Sequence, residues 1–283
     1  MAITFKDLSY VYSPDMPYAF KALNHINLDI AMHKMTAIIG QTGSGKSTLV
    51  QHLNALLLPS EGELEILDHN IKANEKNKGL KMLRSKVGLV FQFSEYQLFE
   101  ETILKDVSFG PKNFGQSEEE AISSAKKALK LVGLDETYYE RSPLDLSGGQ
   151  KRRVAIAGIL AMDPEVIVLD EPTAGLDPKG SKEMMNLFKS LNKDYDKTII
   201  LVTHDNEIVY HDCDNVILMQ DGKLAYTGDS KSFFEDEANW DKYDLLLPMD
   251  IMFKRELNRV GFDIKADSLN MIVDEVSKVI KHE

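Results

Sequence analysis

Apolar positions recur along this chain in two rhythms. Residues 3–10 alternate apolar and polar, the period of a half-buried strand. Short apolar runs at 28–30 and 35–39, on either side of a polar bend, and at 63–67 and 87–91 predict further strands. Residues 166–170 and 198–202 are almost wholly apolar, as expected of parallel strands covered on both faces. Residues 46–57, 150–161 and 180–192 predict helices near or between them. Residues 94–144 are helix-prone, and Ser117 followed by Glu118, Glu119 and Glu120 is a helix start. Asp221-Gly222 between the runs 216–219 and 223–226 signals a hairpin. Residues 13–15 read as a turn and 72–79 as a polar surface loop. Beyond residue 228 the pattern shifts. Residues 230–246, 249–260 and 268–281 predict helices, punctuated by Pro248 and Gly261.

This alternation predicts an α/β protein. The expected division is one α/β domain over 1–228, interrupted by a helical insert at about 94–144. A small helical appendage is expected over 229–283. The length of 283 residues and the hydrophobic fraction of 43% suit that size.

The net charge of -12 argues against a nucleic-acid partner. The single cysteine, Cys213, excludes an internal disulfide and fits a reducing compartment. It precedes an apolar run, so a structural role is expected. Residues 1–7 carry no leader pattern. No run approaches the roughly 18 to 20 apolar residues that span a bilayer. The expectation is a soluble or peripheral protein; a membrane machine using it would need its pore from other chains.

Two segments carry chemistry on their own. Gly40-Gln41-Thr42-Gly43-Ser44-Gly45-Lys46-Ser47 lies between an apolar strand and a helix. Glycines there let backbone N–H groups approach phosphate oxygens, and the helix N-terminus favours negative charge. Lys46 is expected on the β- and γ-phosphates, Ser47 on Mg²⁺, and Thr48 near the α-phosphate. The strand ending Asp170-Glu171 delivers two acids to the same edge of the sheet, where ligands of such sheets bind. Asp170 is expected to hold Mg²⁺, through water, and Glu171 to polarise the attacking water.

The order GQTGSGKST, Gln92, Leu146-Ser147-Gly148-Gly149-Gln150, VIVLDEPTAGLD and Thr203-His204-Asp205 resembles ATP-binding cassette (ABC) ATPases over about residues 3–228. The resemblance implies a phosphate-loop core sheet with an antiparallel β subdomain and a helical insert. It implies ATP and Mg²⁺ as ligands and a hydrolytic site. Gln92 would link Mg²⁺ and water to the insert, His204 would touch the γ-phosphate, and Tyr12 would stack on adenine. Ser147, Gly148, Gly149 and Gln150 would bind ATP held by a facing subunit, and Asp177 would lie in the loop that crosses to it.

Residues 91–102 (FQFSEYQLFEET) and 146–158 (LSGGQKRRVAIAG) further resemble the second ATPase type of energy-coupling factor (ECF) importers. Ser94 stands where proline is common in that run. The resemblance implies a second, similar ATPase as partner, a heterodimer being expected. It also implies a transmembrane scaffold whose coupling helix docks near Gln92, and a substrate-binding membrane subunit. It implies peripheral placement on the cytoplasmic face and uptake of vitamins, cobalt or nickel. Phe93, Tyr96, Leu98 and Phe99 either line the scaffold groove or fill the core of the insert. Leu245, Leu246, Leu247, Met249, Ile251, Met252 and Phe253 either contact the other ATPase or form an internal core. Three readings compete: the ATPase of another ABC transporter class; a non-transport ABC ATPase, which usually has two cassettes in one chain; and a small-molecule kinase, which leaves LSGGQ and His204 without a role.

Overall fold

The computed structural model describes residues 2–262, 264–266 and 269–282. Its frame is two sheets. The first joins β1 (Ala2–Tyr12), β2 (Phe20–Ala31), β4 (Glu61–Ile66) and β5 (His69–Lys72) in the antiparallel order β2-β1-β4-β5. The second joins β3 (Met35–Ile39), β6 (Val87–Val90), β7 (Val166–Asp170), β8 (Thr198–Val202), β9 (Asn215–Gln220) and β10 (Lys223–Asp229). Its order is β10-β9-β3-β8-β7-β6, parallel except for the β9–β10 hairpin.

The continuous apolar runs are explained by cover on both faces. Ala37, Ile39, Ile167, Leu169, Ile199 and Leu201 face one core cluster, with Val154 and Phe188. Their sequence neighbours Ile38, Val166, Val168, Ile200 and Val202 face another, with Phe5, Leu23, Leu49 and Leu64. The six-stranded sheet is thus the wall between two cores.

Helices α1 (Lys46–Leu53), α2 (Leu80–Lys86), α6 (Pro178–Lys193) and α7 (Asn206–Asp212) connect or flank the strands. The insert comprises α3 (Ile103–Asn113) and α4 (Glu118–Leu131), packed against α5 (Gly148–Leu160). Ser117 caps α4 with a reciprocal Ser117–Glu120 capping box, as its sequence predicts.

The C-terminal helices are α8 (Ser230–Glu235), α9 (Glu237–Tyr243), α10 (Met249–Arg259) and α11 (Leu269–His282). The predicted helix at 230–246 is divided because Asp236 ends α8 and caps α9 from its own side chain. Ser268 lies outside the described residues. Phe233, Phe234 and Ile251 join the core cluster of the sheet, and the ring of Phe233 contacts Tyr226 and Tyr243. The C-terminal apolar set is split: Ile251 is buried, Leu245 and Leu247 pack on the core, but Leu246, Met249, Met252 and Phe253 are exposed. Among the described residues no helix is long and apolar enough to cross a membrane.

Other boundaries moved. The helix expected over 46–57 ends at Leu53, because Asn54 caps it and Ala55 turns left-handed at φ 54°. β2 begins at Phe20, well before the expected run, held by its pairing with β1. Cys213 is buried, and burial raises its thiol pKa, consistent with the expected structural role.

His52 on α1 is 1% exposed. Its Nδ1 donates to the Thr48 carbonyl at 2.7 Å, and its Nε2 has no partner. Burial lowers its pKa from 6.5 to about 4, so the folded state holds it neutral. The unfolded chain binds this proton first, so the stabilisation is complete above about pH 6.5 and is lost as pH falls towards 4. The difference corresponds to at most about 3 kcal/mol. Urea unfolding from pH 7 to 4 should show that loss, and His52→Leu should flatten this part of the profile.

Candidate functional site

The parallel register brings three chain segments to one edge of the sheet. Ile38 pairs with Val202, and Val202 with Asp170. Beyond the strands, Thr203 N–H still donates to Ile38 O at 3.3 Å and Glu171 N–H to Val202 O at 3.0 Å. Gly40, Glu171 and His204 therefore leave the sheet side by side. Gln92 leaves β6 two residues after Val90, which pairs with Leu169. These segments open on a cavity of about 450 Å³ lined by Gly43, Lys46, Ser47, Gln92, Asp170, Glu171 and His204 among others.

The loop 40–47 is a shape only glycine permits at two points. Gly40 and Gly45 have φ of 140° and 101°. A Cβ would lie 2.2 Å from Met219 O at Gly40 and 2.7 Å from Ala22 O at Gly45. α1 starts at Gly45 with no capping side chain, whereas α4, α5 and α6 are each capped by their own side chains. Its first N–H groups are left to an anion, which the helix dipole also favours. Ser44 Oγ is buried without a partner in the same loop. Lys46 Nζ donates to Gly40 O and Gln41 O, each at 2.8 Å. Burial lowers its pKa, opposed by the charges of Glu171 and Asp170.

Asp170 is 9% exposed. Burial raises its carboxyl pKa, the Ser47 hydroxyl bonded to it opposes that rise, Glu171 adds to it, and Lys46 counters it. Glu171 is held left-handed at φ 50°. Both of its carboxylate oxygens lie 3.0 Å from His204 Nδ1. Ser47, Asp170 and Gln92 offer hydroxyl, carboxylate and amide oxygens, the donor chemistry of a hard cation such as Mg²⁺. Among the described residues no cluster of three His, Cys, Asp or Glu side chains forms a metal cage.

Tyr12 sits at the end of β1, its hydroxyl 3.2 Å from Thr48 Oγ1 and its ring edge-on to Tyr10. It is not among the residues lining the loop cavity; Phe20 is, at 58% exposure. In the sequence Phe20 is only one of several nearby aromatics, and the hairpin pairing Tyr12↔Phe20 is what reveals its position.

The LSGGQ segment is absent from this cavity lining. Ser147 caps α5 in a reciprocal capping box with Gln150, whose side chain also donates to the Tyr138 hydroxyl at 3.2 Å. Ser147 and Gly148 are exposed. Asp177 caps α6, accepting from Gly180 N–H at 2.6 Å. Phe93, Tyr96 and Phe99 are exposed at 50%, 84% and 63%, so they are not core residues of the insert; Leu98 alone packs on the core.

Fold and site together describe a phosphate-binding loop beside an acidic strand end, with a separate capped signature helix. A family model described as ABC transporter matches residues 23–174. The chain belongs to this family of ATP-binding cassette proteins, which bind and hydrolyse ATP. Within it, the chain is of the ECF ATPase type. It is 52% identical over 262 residues to "Energy-coupling factor transporter ATP-binding protein EcfA2" of Latilactobacillus sakei subsp. sakei (strain 23K), covering 93% of this chain and 90% of that one. To the protein of the same name from Streptococcus agalactiae serotype Ia it is 49% identical over 282 residues, the full length of both. The solved structure of cbiO1 from Clostridium perfringens, part of the ABC transporter complex cbiONQ, superposes with a TM-score of 0.74 at 39% identity, covering 92% of this chain and 96% of that one. A dimeric post-hydrolysis cassette, MJ0796 bound to ADP and Pi, gives 0.71 at 33% identity, covering 81% and 98%. Family membership removes the kinase reading.

Gly45→Ala should abolish nucleotide binding, because the added methyl meets backbone at 2.7 Å and φ is unfavourable for alanine. Equilibrium binding of a fluorescent ATP analogue measures this; affinity within about threefold of the parent would contradict the tight-loop geometry.

Proposed function

We propose that this chain is one of two ATPases in a membrane importer of vitamins or metal ions, placed on the cytoplasmic face. The observation that carries this reading is the identity of about half over the full length to proteins named EcfA2. Three exposed aromatics beside Gln92 support a docking segment there for a membrane subunit. The cassette relatives solved as dimers support a facing ATPase.

In the proposed mechanism the open N–H groups of α1 and the loop hold the β- and γ-phosphates. Lys46 leaves the carbonyls of Gly40 and Gln41 to bond them. Thr48 bonds on the α-phosphate side, and Tyr12 stacks on adenine with Phe20 nearby. Ser47, Gln92 and Asp170 would hold Mg²⁺, which when bound would supply neutralisation of phosphate charge. Glu171 orients and polarises the attacking water. His204, resting against Glu171, turns to the γ-phosphate. Ser147, Gly148, Gly149 and Gln150 complete the facing subunit's site, and Asp177 lies at the crossing between subunits. ATP then bridges two chains, and hydrolysis removes the bridge. The division expected at residues 228–229 falls within the last two residues of β10, and we place the helical appendage from α8 at Ser230 onward.

Tagged protein from native membranes should bring down a second, non-identical ATPase and a transmembrane scaffold. Recovery of neither, under conditions that preserve the complex, overturns the importer reading.

Glu171→Gln should bind ATP as tightly as the parent, accumulate the closed pair and hydrolyse about 10²-fold or more slowly. Near-parental phosphate release would remove Glu171 from its assigned role.

A further inference from the structure

The two runs that mark this chain most specifically, 91–102 and 146–158, meet at one buried charge. Arg152 on α5 is 4% exposed. Its Nε and Nη2 donate to the two carboxylate oxygens of Glu95, at 3.3 and 3.1 Å. Its Nη1 donates to Pro172 O at 3.2 Å and Ala174 O at 2.5 Å. One guanidinium therefore joins three pieces of chain: the signature helix, the short 3-10 turn Ser94–Gln97 after Gln92, and the turn after Glu171.

Burying a cation is costly, and an apolar side chain would fill this space at less expense. The arrangement is understandable if the contacts do something that packing does not. Glu171 is left-handed, and its carbonyl accepts from Ala174 N–H at 3.2 Å to close the turn. A strained residue persists only where its surroundings over-determine it. Arg152 supplies that determination by gripping two carbonyls of the same turn. Its other end is Glu95, between Phe93 and Tyr96, both exposed. A planar fork with several donors in fixed directions suits such a junction better than lysine.

We propose that Arg152 is a positioning residue for ATP hydrolysis, locking the Glu171 turn to the Glu95 segment so that displacement of that segment reaches Glu171. This rests on the assignment of Glu171 as the residue that polarises water. Glu95 is the only charged residue of the Ser94–Gln97 turn, and its half-buried side chain is turned to this guanidinium.

The test uses the complex with its partner ATPase and membrane subunits. The partner's catalytic glutamate is neutralised, so only the site containing Glu171 turns over. Arg152→Gln should lower kcat about tenfold or more, with KM for ATP within about threefold, and Arg152→Lys should recover only part of the loss. An unchanged kcat, or a raised KM at constant kcat, overturns the proposal. In the converse complex, this chain carries Glu171→Gln and the partner's site is active. If Arg152→Gln acts only there, it works through Ser147–Gln150, and the proposal also fails. Where Arg152→Gln does not assemble, Glu95→Gln serves: kcat should fall about threefold or more at unchanged nucleotide affinity, and parental kcat overturns the idea. The outcomes separate the two assignments. Hydrolysis by Glu171→Gln removes the Glu171 role, whereas an inactive Glu171→Gln beside a fully active Arg152→Gln removes only the positioning role.

Discussion

The site depends on the register of three parallel strands. Ile38, Val202 and Asp170 lie in one row across the sheet, so the loops that leave these three strands must emerge together. A shift of one residue in β7 would turn Asp170 from the cavity into a core cluster and swap Ile167, Val168 and Leu169 between the two cores. Register is pinned on both faces, since every residue of β3, β7 and β8 is buried and their apolar residues pack into one or other of two cores. The chemistry is thus set by hydrophobic packing well below it. The side chains at the edge need little support of their own because their backbone exits are already determined.

The same edge concentrates charge that the protein by itself does not balance well. Asp170 and Glu171 adjoin, and burial and mutual repulsion both raise the Asp170 pKa. Lys46 is desolvated and turned back on two loop carbonyls. Glu171 leans on His204. Each contact is a substitute for one that a phosphate or divalent cation makes better. Bound nucleotide and metal would give the open N–H groups of α1 and the Lys46 ammonium negatively charged partners. Affinity for a highly charged ligand comes from that electrostatic frustration rather than from shape alone.

How much of this is legible in the sequence depends on whether local residues or long-range pairing decide. The apolar runs of β7 and β8, the hairpin at Asp221-Gly222 and the cap at Ser117 are local statements, and each points to the right element. The glycine loop and the acids at the strand end are readable because their spacing is itself the chemistry. Helices α2 and α7 are not: each has only seven residues, too few for a periodic pattern. Leu56 and Leu57 extend the expected helix past Asn54, where it in fact ends; Leu56 is exposed and Leu57 only half-buried. Phe20 and Arg152 escape notice for a deeper reason. Nothing in the neighbourhood of either residue states its role, which arises from partners such as Glu95, 57 positions away.

Two helix N-termini in this chain are built differently, and the difference bears on assembly. α1 begins uncapped and faces the cavity, so its donors await a ligand held by the same chain. α5 begins with Ser147 and Gln150 satisfying each other, stable without any ligand. Yet a Cβ on Gly148 would meet nothing within 4 Å, and on Gly149 only Leu176 at 3.8 Å. The space in front of α5 is therefore open, with two glycines that let a partner's backbone or phosphate come close. A helix end that is self-satisfied but unobstructed suits a surface that is exposed for part of a cycle and covered for the rest. An uncapped one there would leave its N–H groups unsatisfied whenever the two chains were apart. The capping box at Ser147 keeps the α5 end satisfied on its own, whereas the α1 end at Gly45 has no such internal partner.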